Sequence, residues 1–129
     1  MKPIILLDLN YTLVANSETK KAPFIRQIEQ EEYRSDLIRL VLPFHVILIT
    51  ARPEKYKDAT LDNIMHKTNW LPDEAYFNDT NLAPQFFKRN IILDNLGKRY
   101  PLSSMIAIES NPKTIAEYHK LEILCLSIQ

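Results

Sequence analysis

The chain has 129 residues, a length that suits one domain spanning 1–129. Sixteen Lys and Arg balance sixteen Asp and Glu, so it lacks the net positive charge that gripping long nucleic acid usually requires. Gly97 is the only glycine, which excludes the P-loop and the GxGxxG turn, and with Cys125 as the only cysteine no internal disulfide forms.

The first element in chain order is the apolar run Pro3 to Leu7, which stops at Asp8. Its length predicts a buried strand, and it is too short for a signal core or a membrane span. A reducing, cytoplasmic location is therefore the expectation. Ser17 to Ala22 is polar and predicts an exposed loop. Phe24, Ile28, Tyr33, Leu37, Leu40 and Val41 recur at helical spacing in one stretch. Val46 to Ile49 predicts a second strand ending at Thr50, and Pro53 opens a helix over 54–68. Ala75 to Phe77 is a weaker strand, followed by a helix from Pro84 to Leu96. Met105 to Ile108 ends at Glu109, Asn111-Pro112 caps and opens another helix, and Ile123 to Leu126 is the fifth strand.

Strands alternating with helices predict an α/β fold: a mostly parallel five-stranded sheet with helices on both faces. Ligands of such sheets sit at the carboxyl ends of the strands. Asp8, Thr50 and Glu109 stand at those ends, and Lys88 lies in the helix before the fourth strand. A carboxylate, a hydroxyl, an ammonium and a second acid suit nucleophilic phosphoryl transfer with Mg²⁺. His45, His66 and His119 have no metal-like spacing.

Ile4-Ile5-Leu6-Leu7-Asp8-Leu9-Asn10-Tyr11-Thr12-Leu13 resembles the first motif of the haloacid-dehalogenase-like hydrolases, an apolar strand followed by Asp-x-Asp-x-Thr. Val46 through Thr50-Ala51-Arg52 resembles the second motif, Lys88 is placed like the third, and Ile106 through Glu109-Ser110-Asn111-Pro112 resembles the fourth. Within that superfamily the chain is most similar to the 3′-phosphatase domain of phage polynucleotide kinases. There Thr50-Ala51-Arg52 resembles a Ser-Gly-Arg stretch, and the tail from Ile106 to Ile123 resembles the last motif, helix and strand.

The resemblance implies a three-layer, Rossmann-like fold without a large cap. It implies Asp8 as nucleophile, Thr50 as phosphate ligand and Lys88 as charge balance. Asp8, the main-chain carbonyl of Asn10 and Glu109 would arrange Mg²⁺, while Arg52, Thr12 and Asn111 are candidate substrate contacts. The implied activity is hydrolysis of a phosphomonoester through an aspartyl-phosphate, on a small phosphorylated molecule, a nucleotide or a nucleic-acid 3′ end.

Two positions depart from the pattern. The aspartate that serves those phosphatases as general acid–base is Asn10 here, and Glu109 is followed by Ser110 where many relatives have a second acid. An amide neither gives a proton to a leaving group nor activates water, a loss of about 10²–10⁴ in rate. Asn10 is read as a trapping substitution, as natural altered chemistry, or as the mark of a phosphate- or nucleic-acid-binding module without turnover. A phospho-accepting receiver domain also uses Asp, Thr and Lys, but places its aspartate after a middle strand.

Overall fold

The computed structural model describes residues 2–128. Five parallel strands form one sheet: β1 Ile4–Leu7, β2 His45–Pro53, β3 Glu74–Asn78, β4 Met105–Glu109 and β5 Leu124–Ser127, in the order β3-β2-β1-β4-β5. Chain order reverses beside β1, which pairs with β2 on one side and β4 on the other. Open α/β sheets bind ligands at such a switch point.

Strand alternation divides the core in two. Ile5 and Leu7 of β1 pack with Val46 and Leu48 against Leu37, Ile38 and Val41 of α2 (Ser35–Val41) and Ile64 of α3 (Lys57–Thr68). Ile4 and Leu6 face the opposite way, with Ile47, Ile49 and Ala107. They meet Phe87 of α4 (Pro84–Ile91) and Tyr118 of the C-terminal helix Pro112–Lys120. Helices therefore cover both faces, and the three-layer architecture follows from strands that are apolar on both sides.

The stretch expected as one helix from Phe24 to Val41 is broken into α1 (Phe24–Gln30) and α2. At Glu31 the backbone becomes extended, and non-local hydrogen bonds replace helical ones. Ala15 N donates to Glu32 O, Arg34 N donates to Leu13 O, and Tyr33 forms an antiparallel bridge with Val14. This excursion lays residues 31–34 along the turn that follows β1. The helix from Pro84 also divides: α4 ends at Ile91, a wide turn runs Ile92–Leu96, and a short α5 covers Gly97–Arg99 before β4. Ser17, expected in an exposed loop, is buried because its Oγ accepts from Tyr11 N at 2.7 Å. Among the described residues, no helix is long and apolar enough to cross a membrane.

Candidate active site

The corner after β1 sets the site. Asp8 is extended, and Leu9–Leu13 form a wide turn in which Asn10 stays extended and Tyr11 is left-handed at φ 60°. Asp8 N donates to Ile108 O of β4, so the nucleophile candidate leaves the sheet beside Glu109. Thr12 Oγ1 donates to Asp8 Oδ2 at 2.7 Å. A one-turn loop thereby fixes one carboxylate oxygen by sequence proximity alone.

Lys88 brings the distant elements together. Its stem crosses from α4 to the sheet end, and Nζ donates to Asp8 Oδ1 and Glu109 Oε1, each at 2.8 Å. Lys88 is 3% exposed, Asp8 8% and Glu109 1%. Glu109 Oε2 accepts from Ser110 N and Asn111 N at 3.1 and 3.2 Å. Burial disfavours each charge, yet at Lys88 the two carboxylates outweigh it and raise the ammonium pKa. At Asp8 burial pushes upward, but Lys88 and the hydrogen bonds prevail and hold the carboxyl below its usual range. Glu109 is pushed up to about 7 by burial and by the charge of Asp8, against the pull of Lys88. Two acids share one cation, and Glu109 is the one whose ionisation is resisted.

The second acid lacks a cation of its own, and the oxygen donors nearby are of the types a hard cation takes. Ser110 Oγ stands 3.3 Å from both Asp8 Oδ2 and the Asn10 carbonyl, and 3.0 Å from Thr12 Oγ1. A hydroxyl has one proton, so it cannot serve all these acceptors at once. A carboxylate, a main-chain carbonyl and a hydroxyl converging in this way are the ligand types Mg²⁺ takes. Among the described residues, no group of three or more His, Cys, Asp or Glu stands together as a metal cluster. The candidate donors are thus mixed oxygen types, with Glu109 turned toward Lys88 and its own loop.

Thr50 lies buried within β2, which runs on past the expected end to Pro53 with a register irregularity after Ile49, and it lines the same cleft. Its Oγ1 accepts from Arg52 N at 3.1 Å, which leaves the hydroxyl proton for another acceptor. Asn111 lines the cleft too, but its Oδ1 caps the last helix by accepting from Lys113 N at 3.0 Å. Arg52 is turned inward. Nη1 donates to Glu31 Oε1 and to Thr60 Oγ1, and Nη2 donates to Glu31 Oε2 and to Asn10 Oδ1. The structure thus gathers Asp8, Asn10, Thr50, Lys88, Glu109 and Asn111 on one cleft of about 1140 Å³, with Thr12 beneath Asp8 and Arg52 behind Asn10.

Three further residues belong to this corner. Ser110 faces the convergence of oxygens, and Tyr11 and Arg34 line the cleft. Arg34 is held by its Nε, which donates to Thr12 O at 2.8 Å. Its place beside the β1 turn follows from the break between α1 and α2, which helical periodicity hides.

The model of the NLI interacting factor-like phosphatases matches residues 3–125. A chain solved in the Pnkp1/Rnl/Hen1 RNA repair complex superposes with a TM-score of 0.78 at 16% identity, over 98% of this chain and 42% of that one. A second structure of the Pnkp1/Rnl/Hen1 complex gives 0.79 at 17% identity, over 98% of this chain and 46% of that one. The chain spans less than half the length of these solved chains, and the likeness is one of fold. No curated protein matches the chain.

Proposed function

This chain belongs to the NLI interacting factor-like phosphatase family, and on that premise we propose that it is a Mg²⁺-dependent phosphohydrolase whose nucleophile is Asp8. The carrying observation is the buried Asp8–Lys88–Glu109 triad at the sheet's switch point, with one Asp8 oxygen bonded to Lys88 and the other held by Thr12. An Asp8 carboxylate oxygen attacks phosphorus, the bond to the leaving oxygen breaks, that oxygen takes a proton from solvent water because Asn10 has none to give, and an aspartyl-phosphate forms. The Thr50 hydroxyl and Lys88 take phosphoryl oxygens as charge spreads. Bound Mg²⁺, held by Asp8, the Asn10 carbonyl and Ser110, would relieve repulsion between carboxylate and phosphate. Water then attacks the aspartyl-phosphate, releasing phosphate and restoring the carboxylate.

The substrate class we assign is a phosphomonoester at a nucleotide or nucleic-acid 3′ end. The open cleft is far larger than a phosphate, and the fold neighbours were solved in an RNA repair complex. We read the domain as 1–129 and its setting as cytoplasmic.

Asn10 favours a second reading, a phosphate-end binder that accepts phosphate slowly or not at all. The two separate on one experiment. The chain and Asp8→Asn are incubated with Mg²⁺ and a panel of phosphomonoesters. Phosphate release and phosphoryl mass on the quenched protein are both followed. Turnover or a phosphoryl adduct that Asp8→Asn abolishes is the expected result. Phosphate release unaffected by that change would sink the nucleophile assignment, and binding without either signal would leave the binding module.

A further inference from the structure

We propose that Tyr11 and Arg34 form a nucleoside-recognition subsite at the mouth of the cleft, where the Tyr11 ring stacks the terminal base and the Arg34 guanidinium takes the neighbouring phosphate. The subsite rests on the reading of Asp8 as the phosphate end.

Tyr11 is an aromatic where the fold does not need one. It is 49% exposed, and its φ of 60° is a conformation that bulky residues seldom adopt. Elsewhere in the chain the left-handed region is taken by Asn69 and Glu122 at helix ends, where a left-handed residue is ordinary. Here the strain is held by the donation of Tyr11 N to the buried Ser17 Oγ. The outcome is a ring standing on the cleft wall three residues from Asp8.

One cation lies over that ring, and a second lines the same cleft. Lys20 Nζ donates to the Tyr11 hydroxyl at 3.0 Å and lies 4.9 Å from the ring centroid, which fixes the ring's attitude. Arg34 is anchored at both ends of its residue: its N donates to Leu13 O and its Nε to Thr12 O. Among the described residues, neither of its terminal amino groups makes a hydrogen bond or an ion pair. Glu18 lines the same wall and forms no ion pair with either cation among the described residues. A guanidinium held rigidly by one nitrogen, with a planar fork left open on a cleft, is arranged for an oxyanion. It is tied to the nucleophile through one residue, since Thr12 gives its carbonyl to Arg34 and its hydroxyl to Asp8.

An exposed aromatic that shares a cleft with an open guanidinium, beside a phosphate site, is the chemistry that holds the end of a single strand: stacking for the base and charge for the backbone. A bare sugar phosphate has no flat face to place on Tyr11. The occupant is therefore a nucleoside phosphate, and a dinucleotide would also reach Arg34.

The experiment uses phosphonate analogues that cannot be hydrolysed: a base-less deoxyribose 3′-phosphonate, the thymidine 3′-phosphonate and the corresponding dinucleotide. Their Kd values are measured by calorimetry with Mg²⁺ on the full chain and its variants. In the original chain the thymidine analogue should bind about 5- to 150-fold tighter than the base-less one, the range spanned by base–aromatic stacking. Tyr11→Asn removes the ring while suiting the left-handed backbone, and should erase that preference. Tyr11→Phe should keep it. Arg34→Gln should abolish the added affinity of the dinucleotide and lower its salt slope by about one phosphate contact. A tighter dinucleotide identifies a strand end as the occupant, and equal binding of mono- and dinucleotide overturns the role of Arg34. A base preference that survives Tyr11→Asn, or stronger binding of a phosphoserine peptide than of the nucleotides, overturns the subsite. Turnover of thymidine 3′-phosphate by the chain and by Asp8→Asn is read in parallel. Absence of a base preference in the original chain, with Asp8-dependent turnover intact, removes the subsite only. Tyr11-dependent binding without Asp8-dependent turnover removes the phosphohydrolase reading only.

Discussion

Arg52 Nη2 donates to Asn10 Oδ1 across 2.8 Å. A guanidinium has donors only, so the oxygen of the Asn10 amide must face it, and the NH₂ is turned the other way. Asn10 thus stands at the cleft with a fixed orientation and no proton to transfer.

Asn10→Asp would place a carboxylate against that guanidinium. The cation favours the charged form, so Asp at this position serves better as a base for water than as an acid for the leaving group. Breakdown of the aspartyl-phosphate should quicken by about 10²–10⁴, with a smaller gain in its formation from alkyl phosphates. Rapid-quench measurement of adduct growth and decay separates the two steps. Equal gains in both would show that Arg52 does not hold the new carboxylate ionised.

Behind Asn10, Glu31 and Arg52 form a buried two-point ion pair, at 3% and 2% exposure. Removing one partner strands the other charge away from water, while removing both does not. Arg52→Met should therefore cost about 3–5 kcal/mol of stability, and Glu31→Leu combined with Arg52→Met should regain much of it. Urea unfolding midpoints of the two variants test this. A double variant no more stable than Arg52→Met would contradict the stranded-charge account.

Most of the frame was legible because its signals are local. Four apolar residues stop at Asp8, and β3, β4 and β5 end in Asn78, Glu109 and Ser127 at the same sheet edge. Arg52 reads in sequence as a phosphate contact because it follows the second motif. Its partner Glu31 lies 21 residues earlier, at a helix end that the spacing of Phe24, Ile28 and Tyr33 conceals. The same break hides Arg34, which lies beside the β1 turn only because Tyr33 pairs with Val14. Ser110 looks like a missing acid in sequence, and its hydroxyl becomes a candidate ligand only when the Asn10 carbonyl is seen 3.3 Å away. These relations are tertiary and leave no periodic trace.

Lys88 offers a metal test that does not need turnover. It is the only cation bonded to Asp8 and Glu109 among the described residues. Lys88→Met leaves two buried carboxylates side by side, at a cost of about 3–5 kcal/mol. A ligand that binds only the folded chain restores stability in proportion to its binding. Mg²⁺ should therefore raise the urea midpoint of Lys88→Met more than that of the original chain. An unchanged midpoint in Lys88→Met without metal would refute the buried ion pairing of Lys88 with these acids.

At the opposite end of the sheet, Glu74 opens β3 and gathers Arg99, His45, Tyr76 and Tyr100 on its two oxygens. Burial pushes its carboxyl upward, but the hydrogen bonds from Arg99, His45 and the two tyrosines outweigh it, lowering the pKa from 4.5 to about 2. A depressed carboxyl contributes stability that is complete above the unfolded value and lost as pH falls through the folded one. The contribution is thus full above pH 4.5 and fades toward pH 2. The cluster is partly open to water, and screening holds its worth to about 1 kcal/mol. Glu74→Gln should lower the urea midpoint at pH 7 and flatten the fall between pH 4.5 and 2. Parallel acid limbs for the two proteins would show that the folded cluster does not hold the Glu74 proton off.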